Sequence, residues 1–571
     1  MTVDIVEAFK KDGYRISKEM TRPSGARGYI AKSKTVINTV TGKPKKAYYA
    51  EGSAHDMGFL IGSLAPGAVK RLVKNFPNNI IMSYLDPAIG PFFGKIIAAL
   101  LYKFISDESQ KIKPSLPKEL LDEMQGVADG VQSVRPDSVV DFENILTINV
   151  GFDFLTALAV NPLSFFQEIE EHLKILDIPE EYKTGEKSLF RLPHICHAYS
   201  AFGDATTDRP DGGKNHFFGR EFQFPPGDVF QDTAAFMVYV PNDKRISLVA
   251  VAAPGFVGSV TAMNKFGITM GVDTVPASDS DAANVGLNSL MLVRHSIHNA
   301  KSGIEAVEIV REAPRGAPWI YPFSDGTNDT AGTIEAGKAT DKMDPWTYVD
   351  KDLIEKDLIP TPKYMKEHAP ELPDRGMMVR WSDYKYPTEF IDRFNPGLFD
   401  NFGEKFISEN FTDPTGFVFP SYDGTGGFGF YYFSPQREQY DDVVIATNLW
   451  LHPRMALCSM NSLVALLLKQ FWTDIQWRYD SLNKGIVDNY GKIDFEKGWT
   501  ILNIINPDVT GNYDYQKFYG NEKAKTQAGK NTYMIDGVVC FMDCKAMKIR
   551  ALYGYYSDQP IELNLLNYLA D

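Results

Sequence analysis

The spacing of apolar and polar residues changes period midway along this chain. From Gly52 to about residue 178 apolar positions recur at helical intervals, as with Leu120, Leu121, Met124, Val127 and Val131 in PKELLDEMQGVADGVQSV. Ser53, with Asp56 three residues on, is a variant capping box and predicts a helix start. SVVDFENILTINVGFDFLTALAV and PLSFFQEIEEHLKIL continue in the same period, so this half is expected to be mostly α. Residues 1 to about 48 mix basic and turn residues and read as short strands and loops. Residues 179–192 are polar and turn-rich and read as a surface linker.

Beyond the linker, Ala198, Tyr199, Ala201 and Phe202 follow Cys196 in the pattern of a half-buried strand. A polar turn at Asp208–Gly213 leads into a second strand, Asn215 to Phe224. DTAAFMVYVP, RISLVAVAAPGFVGSVTAMN, GITMGVDTVP, TAGTIEAG, DDVVIATN and YMIDGVVCFMDCKAMKIRALYGYY are further strand runs. NSLMLVRHSIHNAKSGIEAVEIVREAP predicts two helices broken at Ser-Gly, and MNSLVALLLKQFWTDIQWRYDSLNKGIV predicts a long one. Residues 335–440 are irregular and rich in Pro, Asp and aromatics, so they are expected to form a loop-rich insertion shaping a pocket. Strands, then two helices, then strands again fit two packed sheets with helices outside, an α+β fold.

Composition narrows the partners. A net charge of −14 argues against nucleic acid and anionic membrane, both of which need basic patches. PFFGKIIAALLYKFI is the most membrane-like run, but Lys95 and Lys103 interrupt it and it is too short to span a bilayer. MTVDIVEAFKKDGYRISKEM has no apolar signal core, so a cytoplasmic, soluble protein is expected. Four cysteines in 571 residues are too few for a disulfide framework. Cys540 and Cys544, four apart in a strand, share a face and read as core, and no metal or cofactor is expected. Self-association as a homo-oligomer is left open.

Cys196 draws the chemistry. A cysteine on one hairpin strand and an arginine, Arg220, on its partner can meet, and a cation there favours thiolate. His194 and His197 flank it, but adjacent strand side chains point to opposite faces, so neither makes a good Cys–His dyad.

PHICHAYSAFGDATTDRPDGGKNHFFGREFQFP resembles the start of the mature chain in one enzyme family, the acyl-CoA:6-aminopenicillanic-acid acyltransferase-like N-terminal-nucleophile (Ntn) hydrolases, relatives of choloylglycine hydrolase. AMNKFGITMGVDTVP, GLNSLMLVRHSI, PFSDGTNDTAGTIEAG, VVIATNLWLHPRM and WRYDSLNKGI extend the resemblance over roughly residues 190–505. It implies an αββα four-layer sandwich over 196–571, preceded by a mostly helical, propeptide-like segment over 1–195. It also implies self-cleavage between Ile195 and Cys196. The freed Cys196 would then act as nucleophile with its own α-amine as base.

Further roles follow from the resemblance residue by residue. Arg220 would polarise the nucleophile or contact substrate, Asn448 would donate to the oxyanion, and Arg478 would reach back to the site. Relatives often carry Asp at the position of Gln223, where it holds the α-amine; an amide there can accept the amine's hydrogen bond but adds no charge. Glu221 and Asp228 are the nearby carboxylates, with Glu221 expected on the opposite face from Gln223. Asp273 stands where choloylglycine hydrolases carry an oxyanion Asn, and is expected to face the Cys196 amine because an ionised carboxylate repels an oxyanion. The activity implied is hydrolysis or transfer of the acyl group of a small N-acyl amide, with acyl-CoA within the range of donors. A non-enzymatic binding protein on the same fold and a phospholipase B-like lipid hydrolase are the alternatives.

Overall fold

A computed structural model describes residues 3–84, 91–160, 195–223, 229–275, 284–287, 289–340, 373–385, 417–422, 428–433, 440–448, 450–452, 455, 471–506 and 534–569. The chain opens with α1 (Ile5–Lys11), β1 (Tyr14–Thr21), β2 (Arg27–Ile37) and β3 (Pro44–Gly52). Five helices follow: α2 (Ala54–Leu64), α3 (Pro66–Tyr84), α4 (Pro91–Ile112), α5 (Lys118–Val134) and α6 (Phe142–Val160). The cysteine hairpin is β4 (Ile195–Ala201) and β5 (Phe217–Gln223), and α7 (Val229–Thr233) comes next. Then come β6 (Ala235–Pro241), β7 (Leu248–Ala252), β8 (Thr261–Asn264), β9 (Ile268–Gly271) and β10 (Asp273–Thr274), and the helices α8 (Ser289–Asn299) and α9 (Gly303–Glu312). The rest comprises β11 (Trp319–Asp325), β12 (Thr330–Ala336), β13 (Met377–Trp381), β14 (Phe417–Tyr422), β15 (Phe428–Phe433), β16 (Val443–Thr447), α10 (Phe471–Val487), α11 (Phe495–Leu502), β17 (Met534–Asp543), β18 (Lys548–Tyr555) and β19 (Ile561–Asn564).

Two sheets organise these elements. An eleven-stranded sheet runs β1-β2-β3-β6-β7-β8-β9-β11-β12-β13, with β10 beside β11, and a six-stranded sheet runs β16-β4-β5-β17-β18-β19. β7 reads LVAVA and is buried along its whole length, which is why it lacks polar alternation. Side chains join the sheets across their facing sides: Ser324 Oγ of β11 donates to Ser200 Oγ of β4 at 2.7 Å. α8 packs on β8 and β9 of the larger sheet, while α10 packs on β16 and α11 on β5 of the smaller.

The capping expected at Ser53 is present, its hydroxyl accepting the Asp56 N–H at 3.1 Å. Ser302 caps α9 in the same way, accepting the Glu305 N–H, which accounts for the break between α8 and α9.

Several expectations are corrected. The division at 195/196 divides the chain but not the fold: β1, β2 and β3 belong to the larger sheet, β3 pairing parallel with β6. One cluster of buried apolar residues runs from Ile5 to Tyr568. The 335–440 stretch is not all loop: β13 extends the larger sheet beside β12, and β14 and β15 form an antiparallel hairpin. The opening residues hold a short helix and strands of eight to eleven residues rather than short strands and loops. The linker 179–192 and the run PLSFFQEIEEHLKIL lie outside the described residues.

α2 and α5 approach so closely that glycines on each helix lie against the main chain of the other. A methyl group added at Gly58 or Gly62 would sit on a main-chain carbonyl of α5, and one at Gly126 or Gly130 on a carbonyl of α2. Among the described residues no helix is long and apolar enough to cross a membrane.

Candidate active site

Cys196 is the second residue of β4, completely buried, at the end of the smaller sheet where β16 runs alongside. Register decides what it can meet. Cys196 lies opposite Phe222 of β5, and Arg220 lies opposite Ala198, so Cys196 and Arg220 share a face, two residues apart in register. That face looks toward the larger sheet. Arg220 crosses to it, donating from Nη2 to Asp273 Oδ1 at 3.0 Å and from Nη1 to Thr261 Oγ1 at 3.1 Å.

Asn448 comes from the end of β16. Its Oδ1 accepts the Cys196 main-chain N–H at 3.1 Å and the Arg478 Nη2 at 3.0 Å. Its Nδ2 donates to the Thr274 carbonyl at 2.8 Å and to Thr274 Oγ1 at 3.2 Å. Arg478, projecting from α10, also donates from Nη1 to the Cys196 carbonyl oxygen. Both polar groups of the Cys196 main chain are therefore held by side chains. The thiol itself points to the Gln223 carbonyl oxygen, 3.7 Å away.

Arg220, Asp273, Asn448 and Arg478, drawn from four separate parts of the chain, thus converge on Cys196, each essentially without solvent exposure. Their electrostatics oppose one another. Burial, and next the Asp273 carboxylate, push the Cys196 thiol up, while the Arg220 guanidinium pulls it down. Burial pushes Asp273 up to about 6 against the pull of Arg220 and Arg478. The net result is a protonated thiol at neutral pH, which needs a base before it can attack an amide.

In the intact chain the Cys196 N–H goes to Asn448, while Asp273 pairs with Arg220 through Oδ1. Asn448 correspondingly spends its own N–H groups on Thr274 and presents oxygen, not nitrogen, to Cys196. Gln223 does not reach the Cys196 N–H with its side chain. It lies opposite Ile195, so its side chain takes the other face of the sheet, where Nε2 donates to Glu221 and to the Tyr556 hydroxyl. The expectation that Glu221 faces away from Gln223 is wrong for the same reason, because residues two apart in a strand share a face. Asp228 and His194 lie outside the described residues.

His197 sits on that outer face, its Nε2 3.5 Å from Glu221 Oε2, so the sheet separates it from the thiol. Burial holds His197 well below the usual imidazole range and pushes Glu221 up to about 7. Cys540 lies opposite Arg220 on β17, and both it and Cys544 are buried.

Sequence reasoning missed Thr261 and Thr274. Each is a threonine inside an apolar strand run, and a hydroxyl so placed must find a partner. That signal was readable, but nothing along the chain said which partner. Among the described residues no three His, Cys, Asp or Glu side chains gather as a metal site would require.

Comparison with known proteins adds little to this geometry. No family model matches the chain. A protein of Archaeoglobus fulgidus, described only as uncharacterized, is 26% identical over 551 residues, covering 96% of this chain and 68% of its own. Among solved structures, a mutant conjugated bile acid hydrolase from Clostridium perfringens overlaps 66% of this chain and 95% of its own, at 10% identity and a TM-score of 0.30. A Caenorhabditis elegans N-acylethanolamine-hydrolyzing acid amidase ortholog overlaps 24% of this chain and 59% of its own, at 12% identity and a TM-score of 0.20.

Proposed function

We propose that this chain is an Ntn-type thiol amidohydrolase or acyltransferase of αββα four-layer architecture, acting on a small N-acyl substrate with Cys196 as nucleophile. The observation that carries the reading is the hold on Cys196: main-chain N–H on Asn448, carbonyl on Arg478, thiol beside the Arg220–Asp273 pair. Structural cysteines in a core need no such set of charged partners.

In the intact chain the Cys196 nitrogen is an amide and cannot act as base. Self-cleavage makes it one, with the neighbouring Asp273 carboxylate taking the thiol proton for that first step. Cys196 Sγ attacks the Ile195 carbonyl carbon, the Ile195–Cys196 C–N bond breaks with proton transfer to nitrogen, and a thioester remains. Water hydrolyses it to the Ile195 carboxylate and the free thiol. The new α-amine, with an ordinary pKa of about 7.7–8.0, then takes the thiol proton as the sulfur attacks a substrate amide and gives it to the leaving amine. Asn448 Oδ1 is already placed to accept from that amine. Hydrolysis of the acyl-enzyme, or its capture by a second amine, completes the cycle.

Intact mass of the purified protein tests the first step. Fragments beginning at Met1 and at Cys196, both lost in Cys196→Ala, are expected. A wild-type chain that stays whole after prolonged incubation would sink the reading. The alternative of a binding protein draws on Asp273 at an oxyanion position, but its pairing with Arg220 offsets that charge.

A further inference from the structure

A second buried ion pair stands behind Asn448 and has no part in the steps above. Glu335 of β12 is fully buried and Arg380 of β13 nearly so. Glu335 Oε1 accepts the Leu451 main-chain N–H at 2.8 Å, and its Oε2 accepts the His452 N–H at 2.9 Å. Arg380 donates from Nε to Glu335 Oε1 at 3.3 Å and from Nη2 to the Ile445 carbonyl at 2.7 Å. Both residues belong to the larger sheet, whereas all three main-chain groups belong to the segment that carries Asn448 at the end of the smaller sheet. The pair grips this segment three residues before Asn448 and again three and four residues after it.

We propose that Glu335 and Arg380 are positioning residues for Asn448: a strut between the sheets that sets its side chain by clamping the main chain on both sides. The chemistry fits the task. Two buried N–H groups leaving a strand end need acceptors, and one carboxylate can serve both and still take a guanidinium. Burying that carboxylate is tolerable only with a cation against it, which Arg380 provides while holding the strand. Water could satisfy the same amides but would not fix where the segment sits. The inference rests on the reading that Asn448 serves Cys196, and it places part of the active-site architecture outside the site.

The test uses the full-length chain and needs no turnover. Glu335→Gln is isosteric but leaves one acceptor oxygen for two N–H groups. Amide hydrogen exchange at Leu451 and His452 should quicken about tenfold, as expected for loss of one charge-assisted hydrogen bond. Alkylation of Cys196 by iodoacetamide, followed by peptide mass, should change about fivefold in Glu335→Gln and in the same direction as in Asn448→Ala. In the double variant the Glu335→Gln factor should vanish, because Glu335 would act only through Asn448. Unchanged exchange at Leu451 and His452, or a Glu335→Gln factor that persists undiminished in the Asn448→Ala background, overturns the proposal. If Glu335→Gln does not fold, Glu335→Asp keeps the charge opposite Arg380 while withdrawing both oxygens, and the same two readouts apply. Failure of the protein to hydrolyse any amide would count against the proposed function and leave this inference standing.

Discussion

Asn448 Oδ1 accepts the main-chain N–H of Cys196 at 3.1 Å, joining two residues 252 apart in the chain. The bond fixes the nitrogen that lies on one side of the proposed scissile bond and that would become the catalytic amine. Asn448→Ala should therefore slow both self-cleavage and amide turnover about 10²-fold, the usual effect of misplacing a reacting group by about an ångström. Fragment accumulation over time and kcat on an N-acyl substrate measure the two. Loss of turnover with unchanged cleavage would mean that Asn448 acts on substrate alone.

Asp273 should tune the thiol. As pH rises through about 6 its carboxylate ionises, and that negative charge beside the sulfur disfavours thiolate. Asp273→Asn removes the charge and leaves the Arg220 cation uncompensated, and both effects favour thiolate. The midpoint of Cys196 alkylation should move to lower pH, read from iodoacetamide rates across a pH series. An unmoved midpoint would uncouple Asp273 from the thiol.

Glu221 should make stability depend on pH. Burial raises it from an unfolded 4.5 to about 7 in the fold. Its stabilising share is thus fully present below 4.5 and lost as pH rises through 7, a change of at most about 3 kcal/mol. His197, held neutral, has the opposite slope, so the comparison must be made with Glu221→Gln. The melting temperature of wild type minus that of Glu221→Gln should fall between those two pH values. A flat difference would show that Glu221 does not titrate there.

Gly62→Ala and Gly67→Ala should have opposite effects. The first drives a methyl group into the Val127 carbonyl where α2 crosses α5, and should cost about 1–3 kcal/mol or more. The second adds a methyl group to α3 with nothing within 4 Å, and should gain about 0.5–1 kcal/mol in helix propensity. Chemical denaturation of the two variants beside wild type decides it.

Much of this protein follows from its sequence alone. The β-branched and apolar runs became β4, β5, β7 and β16, and Ser53 and Ser302 mark where α2 and α9 begin, because strand propensity and capping are local effects. Cys196 and Arg220 could be paired in advance for the same reason, since one hairpin sets their register. Tertiary structure decided the rest. Whether Asn448 offers oxygen or nitrogen to Cys196 depends on Thr274 accepting its N–H groups, and Thr274 belongs to the other sheet. That Asp273 pairs with Arg220 is also decided by sheet-on-sheet packing, which brings a buried cation against a buried carboxylate. Likewise, nothing near Glu335 in the sequence points to the amides of Leu451 and His452. Local periodicity constrains neighbours a few residues apart, whereas these contacts join segments whose approach depends on how two large sheets stack, and only the folded chain holds that information.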